Sequence, residues 1–324
     1  MRNSRFKLIL SFYLLISLSC NLIFGPDPNL YPVAVPPEMY SSTVAPGFSY
    51  TFKFTSLPES PFASLTKNAL IIKADDLTSL TTGRWQRYFF LVESLGIHSS
   101  AGLITSSFRR LGNPYGDYFG DRINRGCELW HHGLTHSLSG NQGDFCGTSL
   151  SEQTAYLATG FKIVEDSLGY TMHTFGAPGN CWDDTTITAI TKFPNLKVWL
   201  GGTSIPGKLN IPIRWMMEAS GHIYDLDTMT SRFSAYQDQQ VVMFQIHPDV
   251  WTEVDFNQFE INMEYLMSRD DYVFMTPYEF FKIDNDRENI ILSQLDSLTY
   301  TVDLTNAIYS HTFEFDADFT VVEH

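Results

Sequence analysis

The sequence predicts an α/β fold of about seven parallel strands, with antiparallel strands added from both ends of the chain. Three observations carry this reading. From Ala69 onward, short apolar runs alternate with stretches of helical periodicity, the pattern of parallel βα units. The chain has 324 residues, of which 44% are hydrophobic and only 18% charged, so it can bury one large core. Near both termini the pattern changes to strict alternation, the mark of half-solvated strands.

Residues 1 to 20 come first. Arg2, Arg5 and Lys7 precede an apolar run from Leu8 to Leu18 that closes at Ser19-Cys20. This is the layout of an export signal and resembles a bacterial lipoprotein leader, with Cys20 as the lipidated residue. A plain transmembrane anchor is the alternative, for which the apolar stretch is short. Either reading places the protein outside the cytoplasm, in a bacterial envelope as a membrane-anchored lipoprotein or in the periplasm. The membrane is then met only through the N-terminal lipid or anchor.

Residues 21 to 64 hold Pro26, Pro28, Pro32, Pro36, Pro37, Pro46, Pro58 and Pro61 and read as a tether. Within it Phe48, Tyr50, Phe52 and Phe54 alternate with polar residues as one strand. The βα region runs over 65–285. Strands are expected at Ala69–Ile72, Ala101–Thr105, Cys127–His131, Met172–Phe175, Lys197–Leu200, Val241–Ile246 and Tyr272–Met275. Helices are expected at Trp85–Leu95, Glu152–Leu168, Asp183–Lys192 and Phe256–Met267, the first two ended by Gly96 and Gly169. Periodicity alone leaves a barrel and an open sheet both open. Over 286–324, Leu298, Tyr300, Val302 and Leu304, then Phe313, Phe315, Ala317, Phe319 and Val321, alternate with polar residues. These strands pack on the main domain or on the Phe48–Phe54 strand.

Twenty-one basic residues against 36 acidic ones give a charge of -15, and no basic run follows the leader, so nucleic acid is excluded as a partner. Beyond Cys20 there are Cys127, Cys146 and Cys181. Cys127 opens a strand and reads as buried. Cys146 and Cys181 lie in Gly-rich loops and are expected to pair. No Cys-x-x-Cys suggests a thiolate metal site.

Three segments carry chemistry. Asp75-Asp76 closes the Ala69–Ala74 run, at a strand end where successive side chains are expected to diverge. Taken alone, the pair also fits a helix cap. Glu128-Leu129-Trp130-His131-His132-Gly133-Leu134-Thr135-His136 places three of nine histidines within six residues. A shared Zn²⁺ requires both His132 and His136 within about 2.1 Å of the ion. An extended chain would separate them by roughly 13 Å, so the backbone must curl, and Gly133 permits it. His131, inside the strand, reads as core or as a residue that supports the ligands from behind. Finally, His247-Pro248 ends the Val241–Ile246 run and offers a general acid at an equivalent strand end.

In order, Asp75-Asp76, His132-x-x-x-His136, Phe175-Gly176-Ala177-Pro178-Gly179 and Ile246-His247-Pro248 resemble the successive motifs of the NodB-type polysaccharide deacetylases. This is carbohydrate esterase family 4 with its divergent relatives. The resemblance spans about Ala69 to Lys282. It implies a deformed (β/α) barrel and a divalent metal, usually Zn²⁺, on Asp76, His132 and His136. It implies Asp75 as base and His247 as acid in a hydrolase that removes N- or O-linked acetyl groups from an envelope or extracellular polysaccharide. Pro178 and Gly179 would border the oxyanion. Trp182, Trp199 and Trp251 flank the motif segments and could stack on a sugar, although core packing is the better reading for each singly. Two departures stand out. Leu77 replaces a frequent Gly, and Gly176 replaces the Arg that orients the base. Arg214 could substitute from another strand, and a plain surface charge is an equally good reading of it. The complete Asp-Asp-His-His-His set favours a hydrolase, whereas Gly176 favours the alternative, a surface lipoprotein that only binds carbohydrate.

Overall fold

The computed structural model describes residues 34–78, 83–108, 113–139, 142–211 and 214–324. Cys20 and the leader lie outside the described residues, as does the side chain of Arg214. Among the described residues, no helix is long and apolar enough to cross a membrane.

Among the described residues, nine parallel strands form the main sheet: β1 (Asn68–Leu77), β2 (Ser99–Leu103), β3 (Cys127–His131), β4 (Thr174–Phe175), β5 (Val198–Trp199), β6 (Leu209–Asn210), β7 (Arg214–Met216), β8 (Val241–Ile246) and β9 (Tyr272–Phe274). Their order is β6-β5-β4-β3-β2-β1-β8-β7, and β9 pairs with the first residues of β1. The principal helices are α1 (Arg84–Ser94), α2 (Asn113–Asn124), α3 (Leu150–Leu168), α4 (Asp184–Thr191), α5 (Leu226–Phe233), α6 (Glu253–Met267) and α7 (Pro277–Asp286).

β6 and β7 are the two ends of the hydrogen-bonded order, yet β6 ends at Asn210 and β7 begins at Arg214. Four residues span at most about 14 Å, so the outer edges of the sheet must curl toward each other. The result is a barrel deformed by a gap, as the sequence resemblance implied. The two strands beyond the expected seven are β6 and β7, which are too short to leave a periodic signal.

Burial on both faces explains the unbroken apolar runs. On β1, Ala69 and Ile71 point into the barrel, beside Trp130, Val198, Leu200, Val241 and Met243. Leu70, Ile72, Ala74 and Leu77 point outward beneath Trp85, Tyr88 and Phe89 of α1 and Phe256, Phe259 and Met263 of α6. By the same alternation, Lys73 and Asp75 continue the inward column toward the strand's C-terminal end.

Helix ends follow their local chemistry. α3 begins with a capping box, in which the Ser149 side chain accepts from the Glu152 N–H and the Glu152 carboxylate accepts from the Ser149 N–H. It stops at Gly169, whose φ of 62° suits a residue without Cβ.

The lead-in and the tail build a second, all-β unit together. Tyr40–Val44 pairs antiparallel with His311–Phe315. A four-stranded sheet runs Ile291–Asp296, Thr299–Asp303, Ser49–Phe54, Phe319–Glu323. Phe52, Phe54, Phe62, Tyr300, Val302, Phe313 and Phe315 fill its core. The tail meets both of the packing partners that the alternation allows: two of its strands pair with Ser49–Phe54, while Ile308, Tyr309 and His311 bond Asp286 of α7. His98 of the barrel reaches Glu279 at 2.9 Å and Glu314 of the β unit at 3.2 Å.

Candidate active site

The C-terminal ends of β1, β3 and β8 open on one side, where parallel α/β folds gather chemistry. β1 does not simply let its two aspartates diverge. The pairing register shifts between Ala74 and Leu77, and Asp76 takes a left-handed backbone with φ 68°. This bulge swings the Asp76 side chain back toward Asp75, so both carboxylates face His132. Asp76 Oδ1 lies 3.2 Å and Asp75 Oδ2 3.7 Å from His132 Nε2. The expected divergence therefore fails, because a strand bulge rather than a strand end sets the geometry.

His132 follows β3, and its Nδ1 lies 2.9 Å from the carbonyl of Gly176. A carbonyl only accepts, so Nδ1 carries the proton and Nε2 keeps a free lone pair. Gly133, at φ 85°, turns the chain, and His136 ends the turn at φ 55°. The turn is held by Asp144, a buried residue of the following loop. Its Oδ2 accepts the N–H groups of Leu134, Thr135 and His136 at 3.0, 2.8 and 3.0 Å. Its Oδ1 accepts the Thr135 hydroxyl at 2.7 Å. His136 Nε2 thereby reaches Asp76 Oδ1 at 2.9 Å.

Asp76, His132 and His136 place three ligand atoms within 4.8 Å of one another. Asp76 Oδ1 is buried and makes no well-aligned hydrogen bond with either ring, so lone pairs converge on a common point. That donor set suits a divalent cation. Burial alone would raise the Asp76 carboxyl, but the two imidazoles outweigh it and hold the group far below its usual range. His136 is raised in turn, chiefly by Asp76.

Asp75 stands beside this cluster. Both its oxygens are held by Lys73, and Gln245 Nε2 donates to Oδ2 at 3.1 Å. His247, one residue past β8, points Nε2 toward Asp75 Oδ2 at 3.9 Å. Its Nδ1 is bound by Glu218, which also accepts the His247 N–H at 3.1 Å and the Trp251 indole N–H at 2.9 Å. Burial would lower the imidazole, but Glu218 and then Asp75 raise it above its ordinary value.

The structure thus brings Asp75, Asp76, His132, His136 and His247 together. Pro178 borders them by packing against Gly133, where an added Cβ would stand 2.4 Å from its ring. Gly179 lies under Leu138. The ring of Trp182 meets Trp199 edge-on at 5.8 Å and lies over Gly202. Trp199 and Trp251 are buried, the first stacked on Phe175, and serve the core. His131 is buried in the core, where an added Cβ on Gly160 of α3 would stand 2.0 Å from its Nε2, and its Nδ1 accepts the Gly133 N–H at 3.1 Å, which supports the turn between His132 and His136. Cys146 and Cys181 form a disulfide, with Cα atoms 5.4 Å apart, and this links the loop after β3 to the loop after β4. Cys127 is buried and free.

Sequence reasoning missed Lys73, Glu218, Asp144, Gln245 and Asp249. Asp249 sits two residues after His247, and its carboxyl is pushed up to about 6 by burial and then by the charge of Asp76. The inward column of β1 was the one signal that could have found Lys73.

At the level of sequence, no family model and no curated protein matches the chain. Solved structures do match. The Xyl-CE4 domain of a multidomain xylanase from the hindgut metagenome of Trinervitermes trinervoides superposes with a TM-score of 0.50 at 16% identity, over 67% of this chain and 91% of its own. A protein of Mycobacterium smegmatis assigned to the polysaccharide deacetylases gives 0.52 at 12% identity, over 75% and 94%. The peptidoglycan deacetylase PdaC from Bacillus subtilis gives 0.50 at 13% identity, over 69% and 95%. The chain has the fold of the NodB-type deacetylases of carbohydrate esterase family 4.

Proposed function

We propose that the protein is a metal-dependent hydrolase that removes acetyl groups, N- or O-linked, from a polysaccharide of the bacterial envelope or the extracellular space. The observation that carries this reading is the grouping on one barrel rim of three convergent ligands, a carboxylate beside them and a buttressed histidine opposite. The shared fold with deacetylases adds to it.

Asp76, His132 and His136 would hold the cation, with Zn²⁺ first among candidates for two imidazoles and one carboxylate. When bound, such an ion acts as a Lewis acid toward an acyl oxygen and makes a neighbouring water more acidic. Asp75 Oδ2 takes the proton from the water that attacks the acyl carbon. His247, protonated and held through Nδ1 by Glu218, delivers a proton from Nε2 to the departing nitrogen or oxygen. The scissile bond breaks, leaving acetate and a free amine or hydroxyl. Backbone N–H groups near Pro178 and Gly179 would face the developing oxyanion. The leader supports export with lipidation at Cys20, and cell fractionation together with lipid labelling of the wild type against Cys20→Ala tests both.

Acetate release from a panel of acetylated glycans, with and without chelator, tests the function. Release that chelation abolishes and added Zn²⁺ restores is expected. Glycan binding without any release would establish the binding-only alternative.

A further inference from the structure

Lys73 lies inside the barrel on β1, two residues before Asp75, so both side chains leave the same face of the strand. It is 1% exposed and Asp75 3%. A buried ammonium loses its hydration, and an apolar residue at this height of the column would pack at least as well. Packing therefore does not account for a lysine here. Its Nζ contacts both oxygens of Asp75. On its other side the ammonium lies 4.9 Å from the centroid of the Trp130 ring.

Trp130 fits only because two neighbours lack side chains. A Cβ on Gly102 of β2 would stand 2.4 Å from its ring, and a Cβ on Gly176, just past β4, would stand 2.8 Å from it. The indole thus fills the space into which a residue at 176 would project. An arginine there, as the sequence resemblance implies, would collide with Trp130. The positive charge beside Asp75 comes instead from β1.

We propose that Lys73 is the positioning residue for Asp75, clamped between that carboxylate and the face of Trp130, with Gly102 and Gly176 admitting the indole. Lys73 fixes the carboxylate so that Oδ2 stands 3.7 Å from His132 Nε2 and 3.9 Å from His247 Nε2, between the metal cluster and the acid. The inference rests on the reading of Asp75 as the proton acceptor.

The test is a double-mutant cycle on the full chain loaded with Zn²⁺, using Lys73→Met, Asp75→Asn and both together. Bound metal, kcat, KM and the urea midpoint are measured. Lys73→Met is expected to lower kcat by about 10²-fold, the cost of misplacing a reacting group, with KM and metal content unchanged. In the Asp75→Asn background it should cost less than about twofold, because a positioning residue has nothing left to position. The urea midpoint should fall in each single variant and recover partly in the double. If Lys73→Met does not fold, Lys73→Gln completes the same cycle, since an amide still reaches Asp75 without charge. Equal fold losses of kcat in both backgrounds, or loss of metal with Lys73, would overturn the inference. An unmodified chain that releases no acetate would overturn the deacetylase reading itself, so the two failures are told apart by the wild-type rate.

Discussion

Replacing Asp144 by Ala should loosen the turn that presents His136. The Asp144 carboxylate accepts three consecutive N–H groups and one hydroxyl, all within 3.0 Å. Hydrogen bonds to a charged group contribute about 1.5 to 3 kcal/mol each. Because water can reach part of this turn once the side chain is gone, we expect a net loss of about 3 to 5 kcal/mol rather than the full sum. The left-handed backbone of His136, which costs about 1 kcal/mol or more for a residue with a Cβ, then has no support. Metal affinity should fall about 10- to 100-fold, as for other residues that orient a ligand from behind. Asp144→Asn keeps one carbonyl oxygen where Oδ2 stands and turns its amide toward the Thr135 hydroxyl, which can accept. Its cost should be about 1 kcal/mol. Urea denaturation and competition for Zn²⁺ against a calibrated chelator measure both quantities. Wild-type affinity in Asp144→Ala, or equal losses in the Ala and Asn variants, would show that Asp144 does not hold the turn.

Glu218→Gln should move the alkaline limb of kcat/KM to lower pH. His247 must be protonated to act, Glu218 raises its pKa, and removing that carboxylate lowers the pH at which the proton is lost; an unmoved limb would exclude His247 as the acid. Cys146→Ser opens a link between residues 35 apart in sequence and should cost about 3 to 4 kcal/mol by loop entropy, read as a lower urea midpoint. Equal midpoints for oxidised and reduced wild type would contradict this. Glu279 is pulled down to about 2, against its burial, by His98. A depressed carboxyl stabilises the fold above its ordinary value of 4.5 and ceases to as pH falls toward 2. Glu279→Gln should therefore be less stable near neutrality and lose less stability over that acid interval, which denaturation at stepped pH would show.

Most strands that build the barrel were legible because they are buried on both faces and written as apolar runs. β6 and β7, with two and three residues, carry no such run, and only the chain's short reach from Asn210 to Arg214 explains the curl they impose. His132, His136 and His247 were legible because strand ends followed by Gly or Pro concentrate polar residues, and Asp75 and Asp76 because a carboxylate pair closes an apolar run. What supports them was not. Lys73 interrupts an apolar strand and reads as a surface charge until the inward column is drawn. Glu218 belongs to a two-residue strand, and Asp144 lies in a loop whose fold depends on the turn it binds. The diverging aspartates were misjudged because a register shift leaves no mark in composition. The tail's partner was ambiguous because alternation names a face and not what covers it.

The division of labour between the adjacent aspartates tests the account most directly. Purified wild type, Asp76→Ala and Asp75→Asn are compared for bound metal per chain and for acetate release. Asp76→Ala should lose both, because two imidazoles alone leave the cation under-coordinated. Asp75→Asn should retain metal near the wild-type level while turnover falls by about 10² to 10⁴. Full metal retention in Asp76→Ala, or unchanged turnover in Asp75→Asn, would contradict it.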